Sequence, residues 1–246
     1  MSHDDVLYGR LAEYYDYVYH WKDYRKEVQR IRKLIQGYKN SSGNILLDVA
    51  CGTGKHLSYL QKDFDCVGLD ISESMLKVAR KNAPDAEFLK GDMADFDLGR
   101  QFDVVLCLFS SIGHLGTNGA LRKSISNFAK HTKKGGVVIV EPWLRRSQWR
   151  DGVIDLQTYN GNGLKIARVN IGRSERAFSI VDEGYLIAER GRGLTNVMSR
   201  LKMRFFEPEL VLRMFRDAGF EPRFEEDGLM PGRGLIIATK SQAEAQ

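Results

Sequence analysis

A glycine-rich turn between two acids is the part of this sequence whose residue types and spacing can do chemistry. Residues 46–57 read LLDVACGTGKHL, so Asp48 lies near the end of an apolar run and Gly52 and Gly54 follow within a turn. Glycine lets the backbone turn sharply and approach a ligand closely. Asp70 ends the next apolar run, where a carboxylate can accept hydrogen bonds from both hydroxyls of a ribose. The combination predicts a nucleoside-binding site.

Details of the turn argue against the two common phosphate-binding patterns. The dinucleotide pattern expects glycine or alanine three residues after Gly54, where Leu57 stands. The phosphate loop requires serine or threonine after its lysine, and His56 follows Lys55. Asp48 would repel a pyrophosphate, whereas it could accept hydrogen bonds from an ammonium group, directly or through water. The expected ligand has a ribose and a cationic end and lacks phosphate, a description that S-adenosylmethionine meets.

Further cofactor contacts are predicted around the turn and after the next two apolar runs. In KGDMADF, Asp92 could accept a hydrogen bond from an adenine amino group, and Met93 could pack on the ring. Ala50, Ile71 and Leu108 lie beside these segments. The carboxyl ends of parallel strands meet at one edge of a sheet, where ligands bind in open α/β folds. We therefore expect all of these residues to converge on one site.

The elements that must position these residues alternate between strand and helix. Strands are predicted at 44–49, 64–70, 86–90, 102–109 and 135–143, with helices at 56–62, 73–82 and 118–131. This alternation is typical of a parallel sheet covered by helices on both faces. Two amphipathic helices, at 10–19 and 23–36, precede it. The fold class expected is α/β.

The pattern changes after residue 143 and resumes after residue 205. Alternating stretches separated by NGNG, GRSER and ERGRG indicate an antiparallel β-insertion of three or four strands. A helix at 207–218 and strands near 221–226 and 234–239 follow, and their short connection predicts an antiparallel hairpin. We expect one domain, with an N-terminal helical lid (1–40), a cofactor-binding core (41–142), the β-insertion (143–205) and the completion of the core sheet (206–246).

Composition limits the partners. The net charge of +5 and the pI of about 9.0 suit an anionic partner such as a phosphate-bearing metabolite or nucleic acid, and equally a solvated basic surface. The three cysteines form no C-x-x-C pair, so we expect no disulfide framework and no metal site, as in a reducing cytoplasm. No apolar run reaches the roughly 18 residues of a membrane span, and residues 1–10 carry no apolar leader. We expect a cytoplasmic protein without a membrane partner.

Five segments in this order resemble the class I S-adenosylmethionine-dependent methyltransferases: DVACGTG, GLDIS, GDMADF, FDVVLCLFSSIGHL and KKGGVVIVEPW. YYDYVY, VEPW, the β-insertion and the closing GRGL extend the resemblance over nearly the whole chain. They are similar to the sugar-nucleotide N,N-dimethyltransferases of desosamine and mycaminose biosynthesis, which methylate a dTDP-linked 3-amino sugar. The resemblance implies a Rossmann-like sheet of seven strands with a reversed last strand. It also implies a β-insertion used for homodimerisation or substrate binding.

The resemblance also assigns residues around the acceptor. It implies that the first helix covers the site, with Tyr19 contacting the substrate as a candidate catalytic residue and Tyr24 contacting the carboxylate end of the cofactor. Arg233 in PGRGL is either a charge at a hairpin tip or a phosphate clamp; the resemblance favours the clamp, and guanidinium matches phosphate geometry.

Three further residues are candidates near the acceptor, and two of them have two readings each. His114, just past the fourth predicted strand, is a candidate general base because imidazole titrates near neutral pH, and it could equally be structural. Trp143 could wall a sugar pocket or pack at its rim. Glu141 could hold a polar group of the substrate.

The reaction expected is transfer of one or two methyl groups to the amine of a phosphorylated, nucleotide-linked amino sugar, catalysed mainly by positioning and by excluding water. His114 or solvent would take the surplus proton. Another small molecule, RNA or protein are alternative acceptors. Nucleic acid is disfavoured because CLFSSIGHL lacks an Asn/Asp-Pro-Pro-Tyr run and no RNA-binding motif is visible. A non-enzymatic binder is a third reading, against which the intact turn and both acids argue.

Overall fold

The structure is a computed structural model that describes residues 6–242. The central strands are β1 (Ile45–Val49), β2 (Asp65–Asp70), β3 (Glu87–Lys90), β4 (Phe102–Cys107) and β5 (Thr132–Val140). An insertion contributes β6 (Ile154–Gly161), β7 (Leu164–Glu175), β8 (Phe178–Glu189) and β9 (Gly193–Arg204), and the chain finishes with β10 (Phe220–Glu225) and β11 (Leu235–Lys240).

Seven of these strands form the core sheet, in the order β10-β11-β5-β4-β1-β2-β3. The pairs β1–β2, β1–β4, β2–β3 and β4–β5 are parallel, and β11 runs antiparallel to both of its neighbours. All six residues of β4 are buried, as expected for a strand covered on both faces. The predicted seven-stranded sheet with a reversed last strand is confirmed.

Helices cover both faces of this sheet. They are α1 (Tyr15–Val18), α2 (Tyr24–Tyr38), α3 (Lys55–Leu60), α4 (Glu73–Asn82), α5 (Asn118–His131) and α6 (Pro208–Asp217). Side chains cap the starts of three helices: Asp23 accepts from the Lys26 N–H, Ser72 from the Met75 N–H and Thr117 from the Ala120 N–H. Such caps satisfy N–H groups that have no partner within the helix. Among the described residues, no helix is long and apolar enough to cross a membrane.

The first predicted helix is shorter than expected. Instead of a helix over 10–19, the chain forms a 3-10 turn at Ala12–Tyr14 and the four-residue α1. Aromatic side chains favour helices weakly, and here Tyr15 and Tyr19 are buried against the insertion rather than aligned along a helix face. Tertiary packing therefore sets this segment's path.

The insertion is a separate antiparallel sheet of four strands in the order β6-β7-β8-β9, within the three or four predicted. Its inner face contributes Ile166, Tyr185, Ile187 and Val197 to a cluster with the N-terminal segment. Its outer face exposes a set of large apolar side chains, namely Ile154, Leu156, Val169, Ile171, Leu186 and Met198. The inner face of the insertion thus covers the carboxyl edge of the core sheet.

Candidate active site

Two cavities meet where the insertion covers the core sheet. The first, called here the glycine-turn cavity, has a volume of about 1080 Å³. The structure brings most of the predicted cofactor contacts to its wall, together with His114. The lining residues from that prediction are Tyr24, Asp48, Ala50, Gly52, Asp70, Ile71, Met93 and Leu108.

Two predicted contacts lie outside this wall. Gly54 is the N-cap residue of α3 and has φ 69°; a Cβ there would lie 3.1 Å from the Ala79 Cβ. Gly54 therefore serves the close packing of α3 against α4. Asp92 is exposed, and its carboxylate accepts a hydrogen bond from the Ala94 N–H at 2.8 Å. Its contact with an adenine amino group stays a prediction.

Asp48 is the buried acid at the floor of the glycine-turn cavity. Asp48 is only 2% exposed. Burial raises the pKa of its carboxyl to about 8, and the nearby charge of Asp70 adds to this rise. Among the described residues, none donates a hydrogen bond to this carboxylate. The carboxylate lines the glycine-turn cavity, so the site suits a ligand that brings a cationic or hydrogen-bonding group.

Asp70 is held by the backbone around it. Its Oδ2 accepts from the Gly52 N–H and its Oδ1 accepts from the Ser72 N–H, each at 2.8 Å. Burial raises the pKa of this carboxyl, and these hydrogen bonds oppose the rise. Each carboxylate oxygen can accept a further hydrogen bond, so Asp70 is preorganised to receive a pair of hydroxyls.

The second cavity, called here the aromatic cavity, has a volume of about 420 Å³. Its wall is a set of aromatic side chains with arginines between them: Tyr19, Trp21, Phe109, Trp143, Trp149, Arg150, Arg168 and Arg233. Tyr8, Phe109 and Leu201 line both cavities. The two cavities therefore adjoin, and a group in one can reach a group in the other across this shared wall.

Arg233 lies inside the aromatic cavity. Its guanidinium carbon is 5.0 Å from the centre of the Phe109 ring and 4.8 Å from that of Trp143, and Nη1 donates to the Ser110 Oγ at 3.1 Å. Burial lowers its pKa, and the charge of Glu141 opposes that shift. No carboxylate of the described residues forms an ion pair with it. A desolvated cation of this kind suits an anionic ligand.

Glu141 does not line either cavity. Its side chain is fully buried, and the carboxylate accepts from the Phe109 N–H and from the Met230 N–H, each at 2.8 Å. Glu141 thus ties the loop after β4 to the hairpin that carries Arg233. The geometry gives it a positioning role, in place of the direct substrate contact expected from the sequence.

Tyr19 and Trp143 both line the aromatic cavity. Tyr19 is buried, with its ring 5.1 Å from that of Phe109, and burial raises its pKa. The hydroxyl is therefore protonated at neutral pH and can donate a hydrogen bond. The indole Nε1 of Trp143 donates to the Ser179 Oγ at 2.8 Å. This hydrogen bond fixes the ring in the wall of the aromatic cavity.

Tyr8 is a site residue that the sequence did not reveal, since it belongs to no motif. Its hydroxyl lies 3.3 Å from the His114 Nε2, and the two rings meet edge to face at 5.3 Å. Its backbone carbonyl accepts from the Ser72 Oγ at 2.6 Å. The N-terminal segment thereby bridges the end of β2 and the loop that carries His114.

A buried charge cluster behind Tyr24 was also missed. Lys22 forms an ion pair with Glu27, which also contacts the His56 Nε2 at 2.8 Å. The Lys22 ammonium lies 4.4 Å from the centre of the Phe109 ring, and His56 lines the glycine-turn cavity. Spacing along the chain gives no signal for this cluster because α2 and α3 pack together only in the fold.

Comparison with known proteins agrees with this arrangement. A family model described as "Methyltransferase domain" matches residues 46–136. The chain is 38% identical to dTDP-3-amino-3,6-dideoxy-alpha-D-glucopyranose N,N-dimethyltransferase of Streptomyces fradiae, an alignment that covers 93% of this chain and 90% of the relative.

Solved structures of methyltransferases are also similar to this chain. The structure of Streptomyces venezuelae DesVI matches with a TM-score of 0.88 and 36% identity, over 94% of this chain and 98% of that one. The structure of S-adenosylmethionine-bound CalS10, an amino pentose methyltransferase from Micromonospora echinaspora, matches with a TM-score of 0.80 and 30% identity, over 89% and 92% of the two chains.

Proposed function

The chain belongs to the family of dTDP-amino-sugar N,N-dimethyltransferases, and on that premise we propose that it transfers methyl groups from S-adenosylmethionine to the amine of a nucleotide-linked amino sugar. One observation carries the proposal. The cavity lined by Asp48, to which none of the described residues donates a hydrogen bond, adjoins across Tyr8, Phe109 and Leu201 the cavity lined by Arg233, which has no ion-pair partner among the described residues. The first suits a cationic nucleoside, and the second suits an anionic acceptor.

The glycine-turn cavity fits the cofactor in chemistry as well as in volume. When bound, S-adenosylmethionine supplies a methyl group on a positively charged sulfur. Asp48 accepts hydrogen bonds from its ammonium group, and Asp70 accepts from the ribose hydroxyls. Tyr24 contacts the carboxylate end, and Met93 packs on the adenine. Ala50 has φ 58°, an uncommon conformation for a residue with a side chain, and this brings the backbone of the turn toward the ligand.

The aromatic cavity holds the acceptor. Arg233 binds a phosphate of the nucleotide, and Trp143 packs against the sugar. Tyr19 donates a hydrogen bond to the acceptor and, because its pKa is raised, cannot act as a base at neutral pH. The amine must be neutral to attack, so a proton leaves it, and His114, which lines the glycine-turn cavity beside Tyr8 of the shared wall, takes that proton. Positioning by these groups and exclusion of water supply most of the rate.

Replacing His114 with alanine is expected to lower kcat by about a hundredfold, within the range for loss of a general base, and to leave the KM for S-adenosylmethionine nearly unchanged. Added imidazole should restore part of the lost rate. His20→Ala is the matched control, since His20 is exposed and lines neither cavity. A His114→Ala variant with the kcat of the wild type would remove His114 from the mechanism.

The outer face of the insertion is where a second copy of the chain binds. Its apolar residues stand opposite one another in the strand register, Ile154 against Ile171 and Leu156 against Val169. Exposed apolar patches of this kind mark interfaces. Sedimentation velocity should show a dimer for the wild type and a monomer for Leu156→Glu; a wild-type monomer would contradict this.

Three buried free cysteines suit a cytoplasmic location.

Turnover on matched acceptors tests the proposed function. Mass spectrometry of the products should find added methyl groups on a dTDP-linked 3-amino sugar, and none on the analogue with a hydroxyl in place of the amine. The same amino sugar without its nucleotide should react far more slowly. Equal turnover of the free and nucleotide-linked amines would contradict a nucleotide-linked acceptor.

A further inference from the structure

We infer that Arg30 of α2 is a positioning residue for the acceptor: it holds the connection between β10 and β11 in the place where Arg233 meets the phosphate. The inference rests on the proposed function, because it assigns the support of the arginine that binds a nucleotide-linked acceptor. Among the described residues that line the two cavities, Arg30 is absent from both walls. Its effect on the acceptor therefore passes through another residue.

Arg233 lies in a segment whose backbone is free to adopt several conformations. The segment joins Glu225, the last residue of β10, to Leu235, the first residue of β11. Gly232 and Gly234 stand on either side of Arg233 and have φ of 77° and 74°. Glycine adopts this region without strain and leaves it as easily, so contacts from outside the segment are needed to fix the position of Arg233.

Arg30 supplies three such contacts from α2. Its Nη1 donates to the Gly228 carbonyl at 2.7 Å. Its Nη2 donates to the Asp227 carbonyl and to the Glu225 Oε2, the second of these at 3.0 Å. A guanidinium presents its donors in a rigid planar fork. One side chain thus ties the end of β10 and the start of the connection to the helix.

The restraint reaches Arg233 through two glycine backbones. A Cβ on Gly228 would lie 2.7 Å from the Gly234 carbonyl oxygen and 2.8 Å from the Gly234 nitrogen, so the two backbones pack directly on each other. Gly234 follows Arg233 in the chain, and the Arg233 N–H donates to the Met230 carbonyl at 3.3 Å. Holding Gly228 therefore limits where Gly234, and with it Arg233, can lie.

Glu141 and Leu229 hold the middle of the same connection. The Glu141 carboxylate accepts from the Met230 N–H at 2.8 Å, and Leu229 packs against the core. Arg30 instead holds the start of the connection, and its side chain is 33% exposed, whereas Glu141 is fully buried. Arg30 can therefore be replaced without opening the core.

A double-mutant cycle tests the inference. Calorimetry with S-adenosylhomocysteine present measures dTDP binding to the wild type, Arg30→Ala, Arg233→Ala and the double variant. Arg30→Ala should weaken dTDP binding about tenfold, the scale of charge-assisted hydrogen bonds that are partly screened by solvent, and should leave the affinity for S-adenosylhomocysteine unchanged. In the Arg233→Ala background, the same substitution should change the dTDP affinity by less than about twofold, because no guanidinium is left to position.

Two further variants separate positioning from a general loss of structure. Arg30→Lys should recover part of the dTDP affinity, because an ammonium can still donate to a carbonyl but lacks the planar fork. Gly228→Ala should weaken dTDP binding although Arg30 is in place, because the added Cβ displaces the backbone of Gly234.

Arg32→Ala is the matched control. Arg32 also lies on α2 and is 38% exposed. Like Arg30, it donates to a carboxylate and to a carbonyl, those of Asp63 and Tyr59, which lie outside the connection between β10 and β11. This variant should bind dTDP as the wild type does.

The outcomes distinguish this inference from the proposed function. Losses that add in the double variant overturn the positioning role, and so does an unchanged dTDP affinity in Arg30→Ala beside a weakened Arg233→Ala; both results leave the proposed function intact. A wild type that binds no dTDP, or an Arg233→Ala variant that binds it as well as the wild type does, overturns the phosphate contact itself and, with it, the role of Arg30.

Discussion

Replacing Asp48 with asparagine will weaken S-adenosylmethionine binding by about ten- to a hundredfold, and will raise the thermal stability of the ligand-free protein near pH 8. A charge-assisted hydrogen bond contributes about 1.5–3 kcal/mol, which corresponds to that change in affinity. The asparagine has nearly the same shape as the aspartate, so the loss reflects the missing charge rather than a cavity.

The stability effect follows from the raised pKa of Asp48. Its carboxyl has a pKa of about 8 in the folded chain, against 3.8 for an ordinary aspartate. Between these values the folded state binds the proton more strongly than the unfolded state, so the stability of the ligand-free protein falls as pH rises through this interval. Asparagine does not titrate, so the stability of the ligand-free variant does not fall in this way as pH rises.

Titration calorimetry in buffers of different ionisation enthalpy measures the affinity and the proton release, and thermal unfolding of the ligand-free protein near pH 8 measures the stability. At neutral pH, binding a cationic ligand should ionise Asp48 in the wild type and release a proton to the buffer. Asp48→Asn should release correspondingly less. Asp65→Asn, at an exposed residue of β2, is the matched control and should bind as the wild type does. An unchanged dissociation constant in Asp48→Asn would separate this acid from the cofactor.

Replacing Arg233 with alanine will raise the KM for the sugar nucleotide by about a hundredfold, the upper scale of a charge-assisted contact, and will leave the affinity for S-adenosylmethionine nearly intact. The guanidinium binds phosphate through two parallel hydrogen bonds, which lysine cannot reproduce, so Arg233→Lys should recover only part of the loss. Because the contact is present before and during the reaction, kcat should change little.

Stability measurements exclude a general loss of structure in this variant. Arg233 is a buried cation without an ion-pair partner among the described residues, and such a charge does not stabilise a fold. The melting temperature of Arg233→Ala should therefore stay near that of the wild type. Arg145→Ala is the matched control, since Arg145 pairs with Glu226 and lines neither cavity. Unaltered acceptor kinetics in Arg233→Ala would show that Arg233 does not bind the phosphate of the acceptor.

The sequence predicted the features whose causes are local. Asp48, Gly52 and Asp70 could be placed at one edge because each follows an apolar strand, and parallel strands bring their carboxyl ends together. The reversed last strand could be predicted from the short connection before it. The bounds of the first helix could not, because burial of Tyr15 and Tyr19 against the insertion decides the path of that segment.

Features that depend on distant segments were not predictable from spacing. Tyr8 contacts His114 across 106 positions of the chain, and Glu141 reaches Met230 across 89. No sequence motif indicates that both carboxylate oxygens of Glu141 accept hydrogen bonds from backbone N–H groups.

A crystal structure of the protein with S-adenosylhomocysteine and dTDP will show whether the two adjoining cavities hold the cofactor and the acceptor on either side of a shared wall. We expect S-adenosylhomocysteine in the glycine-turn cavity, with its ammonium at Asp48 and its ribose at Asp70. We expect dTDP in the aromatic cavity, with its diphosphate on Arg233 and its free phosphate end toward Phe109. Density for dTDP outside the aromatic cavity, with Arg233 uncontacted, would contradict this arrangement.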